Sequence, residues 1–189
     1  MNNLKKVIIF IVIIFLLIFI IKIFNIENVI LQKIYPLEYK SQVEEYAEKY
    51  EVDKFIIYAI IKQESNFDIN AHSASGAKGL MQIMDGTAED IAKNLETYKN
   101  EEINLYDPET NIMFGTKYFS DLLKEYNNQN LALAAYNAGT GNVKKWIENG
   151  TIDGNGDNIE NIPFKETNLY IRKILQNYKI YQNLYNKER

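Results

Sequence analysis

A carboxylic acid that donates a proton near neutral pH needs surroundings that disfavour its charge, and Glu64 is placed to have them. In the run Asp53-Lys54-Phe55-Ile56-Ile57-Tyr58-Ala59-Ile60-Ile61-Lys62-Gln63-Glu64, residues 56, 60 and 64 lie four apart and share one helical face. Glu64 thus continues an apolar stripe. Desolvation raises a carboxyl pKa, and the partial negative charge at a helix C-terminus also opposes ionisation. A glutamate at a helix end is ordinarily a solvated surface residue, so its meaning depends on the residues next along the chain. Ser65-Asn66-Phe67-Asp68 leads into the small-residue loop Ser73-Ala74-Ser75-Gly76-Ala77-Lys78-Gly79 and then Leu80-Met81-Gln82-Ile83-Met84. Such a loop lets backbone approach a ligand closely, and Gln82 can offer a sugar both a donor and an acceptor.

Other chemistries are poorly served. Cysteine is absent and His72 is the only histidine, so neither thiolate sites nor multi-histidine zinc sites can form, and no cofactor or metal is implied. His72 reads as a loop residue. Asp153-Gly154-Asn155-Gly156-Asp157 begins like a calcium loop, yet Asn158 stands where that loop needs glycine and Phe164 where it needs a bidentate glutamate. A turn-rich loop is the better reading. From position 25 onward 18 basic residues face 25 acidic ones, a net charge of −7 with His neutral, which disfavours nucleic acid as a partner. Tyr170, Tyr178, Tyr181 and Tyr185 recur at nearly helical spacing; Tyr178, Tyr181 and Tyr185 read as packing, whereas Tyr170 also stands in a motif. Trp146 suits a core position at least as well as a sugar platform.

The elements that must hold Glu64 are helical. Apolar periodicity predicts helices over 38–50, 54–64, 87–95, 109–126, 130–138, 143–148 and 166–185, with no competing strand pattern. Asp53 and the Asp107-Pro108 pair can open two of them, and Gly139 can close a third. The expected fold class is all-α. Before it, every residue from Val7 to Ile21 is Val, Ile, Leu or Phe. A cleaved signal needs small residues at its cut site, and there is no Ala-x-Ala pattern here. The expectation is a cytoplasmic tail and transmembrane anchor over 1–24, a linker over 25–36 and one domain over 37–189. Lys5 and Lys6 would keep the tail inside the cell and send that domain out, although Lys22 and Lys33 weaken the bias.

Glu64-Ser65, Gly76-Ala77-Lys78-Gly79-Leu80-Met81-Gln82-Ile83-Met84 and Ala134-Ala135-Tyr136-Asn137-Ala138-Gly139 resemble, in order and spacing, the three signatures of soluble-lytic-transglycosylase-type domains. Pro163-Phe164-Lys165-Glu166-Thr167-Asn168-Leu169-Tyr170 is similar to that family's Pro-x-x-Glu-Thr-x-x-Tyr segment. The match covers about residues 40 to 185. The resemblance implies a lysozyme-like helical domain with a saccharide cleft, Glu64 as the catalytic acid and base, and peptidoglycan glycan strands as partner. It assigns Ser73 to orienting Glu64, Gln82 and Met84 to the cleft lining, Tyr136 and Asn137 to the flanks of the scissile sugar, and Glu166 and Tyr170 to the far wall. One departure is Asp85, where the family usually has proline; Asp is a good helix cap. The implied product is a 1,6-anhydromuramyl end. The alternatives are a lysozyme-type muramidase, admitting water through Asp68 or Asp85, and a glycan-binding protein without catalysis.

Overall fold

Three helices of the globular part are started by side-chain caps. In a computed structural model, which describes residues 3–23, 26–93, 95 and 103–186, Asp53 caps α4 (Lys54–Glu64) by accepting from Phe55 N at 2.8 Å. Asp107 caps α6 (Pro108–Tyr126) by accepting from Thr110 N at 2.8 Å, with Pro108 at the position where a missing N–H costs nothing. Asn128 caps α7 (Gln129–Ala138) through Leu131 N. Each cap is worth about 1 kcal/mol. Gly139, at φ +84°, ends α7 and opens α8 (Thr140–Glu148) in one residue. The helix expected from Val143 therefore begins three residues earlier.

Among the described residues there is no strand, only isolated bridges of Lys78 with His72 and Ile83. The all-α expectation holds. Two compact units divide the chain: residues 37–182, and residues 1–36 with 183–189. In the larger unit α3 (Lys40–Lys49) packs on α4 and α6, α6 also packs on α5 (Asp85–Ala92) and α7, and α7 on α8. A 3-10 turn at Ile159–Asn161 precedes α9 (Lys165–Tyr185).

α4 is the centre of the core. All seven residues from Phe55 to Ile61 are buried, Ile57, Ile60 and Ile61 completely. α9 meets it through Tyr181, whose ring stacks on Tyr58 at 5.4 Å, and through the Tyr178 hydroxyl, which donates to Asp53 Oδ2 at 2.6 Å. Tyr181 of the α9 stripe is packing, as its spacing suggested. Trp146 is 5% exposed and is likewise a core residue.

One sequence expectation needs correction. α5 starts at Asp85, and the capping position belongs to Met84, which makes no side-chain cap; Asp85 is in the first turn and pairs with Lys78 instead. Asn94, in the expected helix over 87–95, lies outside the described residues. The stretch read as a linker contains α2 (Ile26–Ile34), with no buried residue. As for the anchor, α1 spans Asn3–Ile23, but no helix among the described residues is long and apolar enough to cross a membrane.

Candidate active site

Glu64 is the last residue of α4, carried to the surface end of a helix whose preceding turns are buried. The chain then turns sharply. Ser65 caps the helix end, its hydroxyl donating to Ile61 O at 3.2 Å and accepting from Phe67 N at 3.1 Å. Asn66 and Phe67 come next at φ +50° and +69°, left-handed conformations that non-glycine residues rarely adopt. Burial of the Phe67 ring beside Tyr58, with centroids 6.5 Å apart, offsets that strain. The result is a carboxylate held at a rigid corner.

The Tyr170 hydroxyl of α9 donates to Glu64 Oε1 at 2.5 Å. Tyr170 is itself buried, and burial together with the nearby Glu64 charge pushes its phenol well above the usual range, so it remains a donor. Desolvation raises the Glu64 pKa to about 7 against the opposing effect of the Tyr170 bond; the negative charge of Glu166 adds to the rise. Near neutral pH this carboxyl is close to half protonated.

The facing loop is braced from outside the motifs by Asn111. Asn111, 1% exposed on α6, accepts from Met81 N at 2.7 Å and donates to Lys78 O and Leu105 O at 2.9 and 2.8 Å. Gly79, at φ +72°, lies so close that a Cβ there would meet Leu105 O at 2.2 Å and Asn111 Nδ2 at 2.4 Å. Gly115 similarly leaves room for Met81. A lone Asn inside a helical pattern carries no special signal. Only its burial reveals the role.

The residues singled out from sequence take up distinct places. Gln82, at φ +49°, donates through Nε2 to Ala71 O and Gly79 O, so its amide nitrogen braces the loop. With Met84, Tyr136 and Asn137 it lines a cavity of about 240 Å³. The Tyr136 hydroxyl donates to Met81 O at 2.8 Å, tying α7 to the loop, and its ring lies 5.3 Å from that of Tyr118. Asn137 accepts from the buried Thr167 hydroxyl at 2.8 Å. That bond leaves the amide NH₂ as the group Asn137 can offer. Asn137 also lines a second cavity of about 250 Å³ with Glu64, Glu166 and Tyr170, and a third of about 500 Å³ with Ser75, Phe164 and Glu166. The three adjoin at Asn137 and form one broken cleft.

Ser73 behaves differently. Its hydroxyl accepts from Ala77 N at 3.0 Å and closes its own loop, whereas the hydroxyl bonded to Glu64 is that of Tyr170. Ser75 is the loop serine in the cleft lining. His72 sits in the loop with Nδ1 3.2 Å from the Tyr106 hydroxyl. In the 153–158 loop Asp153 Oδ1 accepts from Asn155 N and Asp157 N, which makes it a self-capped turn. Among the described residues no cluster of carboxylates and histidine is arranged for a metal.

The site can give a proton to, and take one from, an oxygen atom of a ligand bound in a cleft of polar and aromatic character. Comparison with known proteins identifies the family. The model of the Transglycosylase SLT domain matches residues 41–156. The chain is 39% identical over 150 residues to the soluble lytic murein transglycosylase of Escherichia coli K12, covering 77% of this chain and 23% of that protein. It is 35% identical over 116 residues to the membrane-bound lytic murein transglycosylase C of Serratia proteamaculans, 56% of this chain and 32% of that one. Among solved structures, an inactive Glu-to-Gln mutant of the lytic transglycosylase Slt from Pseudomonas aeruginosa superposes with TM-score 0.73 at 32% identity, over 84% of this chain and 26% of that chain. A complex of the 70-kDa soluble lytic transglycosylase with bulgecin A gives TM-score 0.73 at 36% identity, over 81% and 25%. The chain thus spans about a quarter of the length of the soluble relatives it matches. With the family model matching residues 41–156 and a fold shared with solved lytic transglycosylases at more than 30% identity, this chain belongs to the Transglycosylase SLT domain family.

Proposed function

We propose that the chain is a peptidoglycan lytic transglycosylase that cuts the β-1,4 bond between N-acetylmuramic acid and N-acetylglucosamine. The observation that carries this reading is Glu64: one desolvated carboxyl with a pKa of about 7, hydrogen-bonded by Tyr170 and open to the cleft. Ordinary glycosidases divide the work between two carboxylates. Here Glu64 performs both proton transfers. As acid it protonates the glycosidic oxygen while the bond from C1 to that oxygen breaks, with the substrate's N-acetyl group assisting departure. As base it then takes the proton of the C6 hydroxyl as O6 bonds to C1. Glu64 ends protonated as it began, the product carries a 1,6-anhydro ring, and no water enters.

The same reading gives Tyr170 the task of holding Glu64 in register, and Gln82, Met84, Tyr136, Asn137 and Glu166 that of binding the strand. Ser73 shapes the loop that faces them. The two aspartates a hydrolase could use are engaged elsewhere: Asp68 Oδ1 accepts from Asn70 N at 2.9 Å, and both oxygens of Asp85 hold Lys78 at 2.7 Å. A relative of this fold is inactive as a Glu-to-Gln mutant, which supports placing the chemistry on one glutamate. Membrane attachment through the apolar run Val7–Ile21, with the domain outside the cytoplasm, belongs to the proposal and rests on the sequence.

The test is digestion of purified peptidoglycan by the full-length chain and by its Glu64→Gln variant, with fragment ends identified by mass spectrometry. Anhydromuramyl ends from the native chain alone are expected. Reducing ends would convert the assignment to a muramidase, and intact glycan with both proteins would remove the catalytic reading.

A further inference from the structure

In the unit Leu37–Gln182, four large apolar side chains among those described are more than a third exposed: Met84, Tyr106, Phe164 and Leu169. Three of the four line the adjoining cavities, Met84 the first, Leu169 that of Glu64, and Phe164 the largest. Apolar surface left open in one cleft, while it is buried nearly everywhere else, marks surface kept for a ligand.

Phe164 is the most fully built of these. Its ring stands edge-on against Trp146, centroids 5.0 Å apart and planes at 85°, and Trp146 is almost wholly buried while Phe164 is 48% exposed. The indole acts as a buttress that fixes the phenyl ring and leaves it open to the cavity. The backbone is fixed as well. Phe164 O accepts from Asn168 N at 3.1 Å, and Asn168 Nδ2 donates to Ile159 O at 2.6 Å, binding the start of α9 to the preceding turn. Around the ring the cavity offers Asn137, Glu166 and Ser75, the first two shared with the cavity of Glu64. A rigid apolar face ringed by hydrogen-bonding groups suits a pyranose, whose axial C–H face is apolar and whose hydroxyl and N-acetyl groups project at its edge.

From this geometry we infer that Phe164, buttressed by Trp146, is a stacking platform for a sugar ring of the glycan strand in the subsite adjoining Glu64. The inference rests on the glycan-cleaving reading of the site. It also moves the sugar-stacking role that Trp146 could have held onto its exposed neighbour.

The experiment uses the full-length chain carrying Glu64→Gln, in detergent, titrated with uncut oligosaccharides of alternating N-acetylglucosamine and N-acetylmuramic acid. Calorimetry gives Kd, and the emission of Trp146, the sole tryptophan, reports on its ring partner. Saturable binding with a change in Trp146 emission is expected. Adding Phe164→Ala should raise Kd roughly two- to tenfold, the range of one lost aromatic contact, and Phe164→Tyr should restore it. In the native background the same factor should appear in KM with kcat little changed. Unchanged Kd in a Phe164→Ala chain that still binds glycan would overturn the platform and leave the glycan-cleaving reading intact. Equal loss with Ala and Tyr, accompanied by a lowered Tm, would overturn it in favour of a structural role. Absence of both binding and cleavage in every chain would overturn the two together.

Discussion

Glu64 and Asp85 are both carboxylates at helix ends, Glu64 lining the cleft and Asp85 outside it, and their surroundings are opposite. Glu64 ends α4, is largely withdrawn from water, receives the Tyr170 hydroxyl and titrates near 7. Asp85 begins α5 with a side chain 62% exposed, where a helix N-terminus favours negative charge, and both its oxygens hold Lys78. One site opposes the charge that the other welcomes. The difference shows that acid chemistry here is set by surroundings, because the side-chain group is the same in both.

The sharpest way to break this contrast is to neutralise each carboxylate. Glu64→Gln should reduce anhydromuramyl product by ~10²–10⁴-fold, the range for a lost general acid, while Asp85→Asn should leave turnover within about twofold. End-product mass spectrometry under initial-rate conditions reads both. Comparable losses would mean that Asp85 takes part in the chemistry.

The pH dependence of folding should separate the two next. Glu64 has its pKa raised from 4.5 to about 7, so the folded chain holds a proton that the unfolded chain has released between those values. Folding is therefore penalised as pH rises through this window, by on the order of 3 kcal/mol once Glu64 is fully ionised. Thermal melts of Glu64→Gln should match the native chain near pH 4 and exceed it at pH 8. Equal melts at both pH values would show that Glu64 is solvated and that the contrast with Asp85 is false.

Tyr170→Phe sharpens the comparison by removing one cause at a time. The Tyr170 bond lowers the Glu64 pKa against the larger effect of burial, so its loss should move the alkaline fall of the pH–rate profile upward. Rate at pH 7 should drop roughly tenfold as Glu64 loses its orientation. A drop without a shift in the profile would assign Tyr170 to sugar binding alone. The smallest effect belongs to the Asp85–Lys78 pair, which is exposed. Its removal should change stability by about 0.2–1 kcal/mol, and less at high salt, as urea titrations at two ionic strengths would show.

Much of the larger unit was legible because its signals are local. The Asp53 and Asp107 caps, the Gly139 break and the apolar stripe ending at Glu64 each act within a few residues, and the structure places them as read. One error arose where two groups compete for one side chain: Asp85 was expected to cap a helix, but Lys78 lies in reach across the loop. Ser73 was expected to orient Glu64; its hydroxyl accepts from Ala77 N within its own loop, and the bond seen at Glu64 comes from Tyr170, 106 residues along the chain. Asn111 gave no sequence signal, since a buried amide satisfying three backbone groups looks like any polar residue in a helix. The stretch before Leu37, read as a spacer, holds α2, a helix with no buried residue.

The sequence by itself determined the helical class, the helix boundaries with strong caps, and Glu64 as the carboxyl to watch, because periodicity and capping are properties of neighbours along the chain. Only the tertiary structure decided that Glu64 titrates near 7, that the Tyr170 hydroxyl bonds it, and that Phe164 rather than Trp146 faces the cleft. Desolvation and hydrogen-bond partners depend on which residues meet through space, and the α4–α9 packing that brings Tyr170 to Glu64 is visible only once the chain has folded.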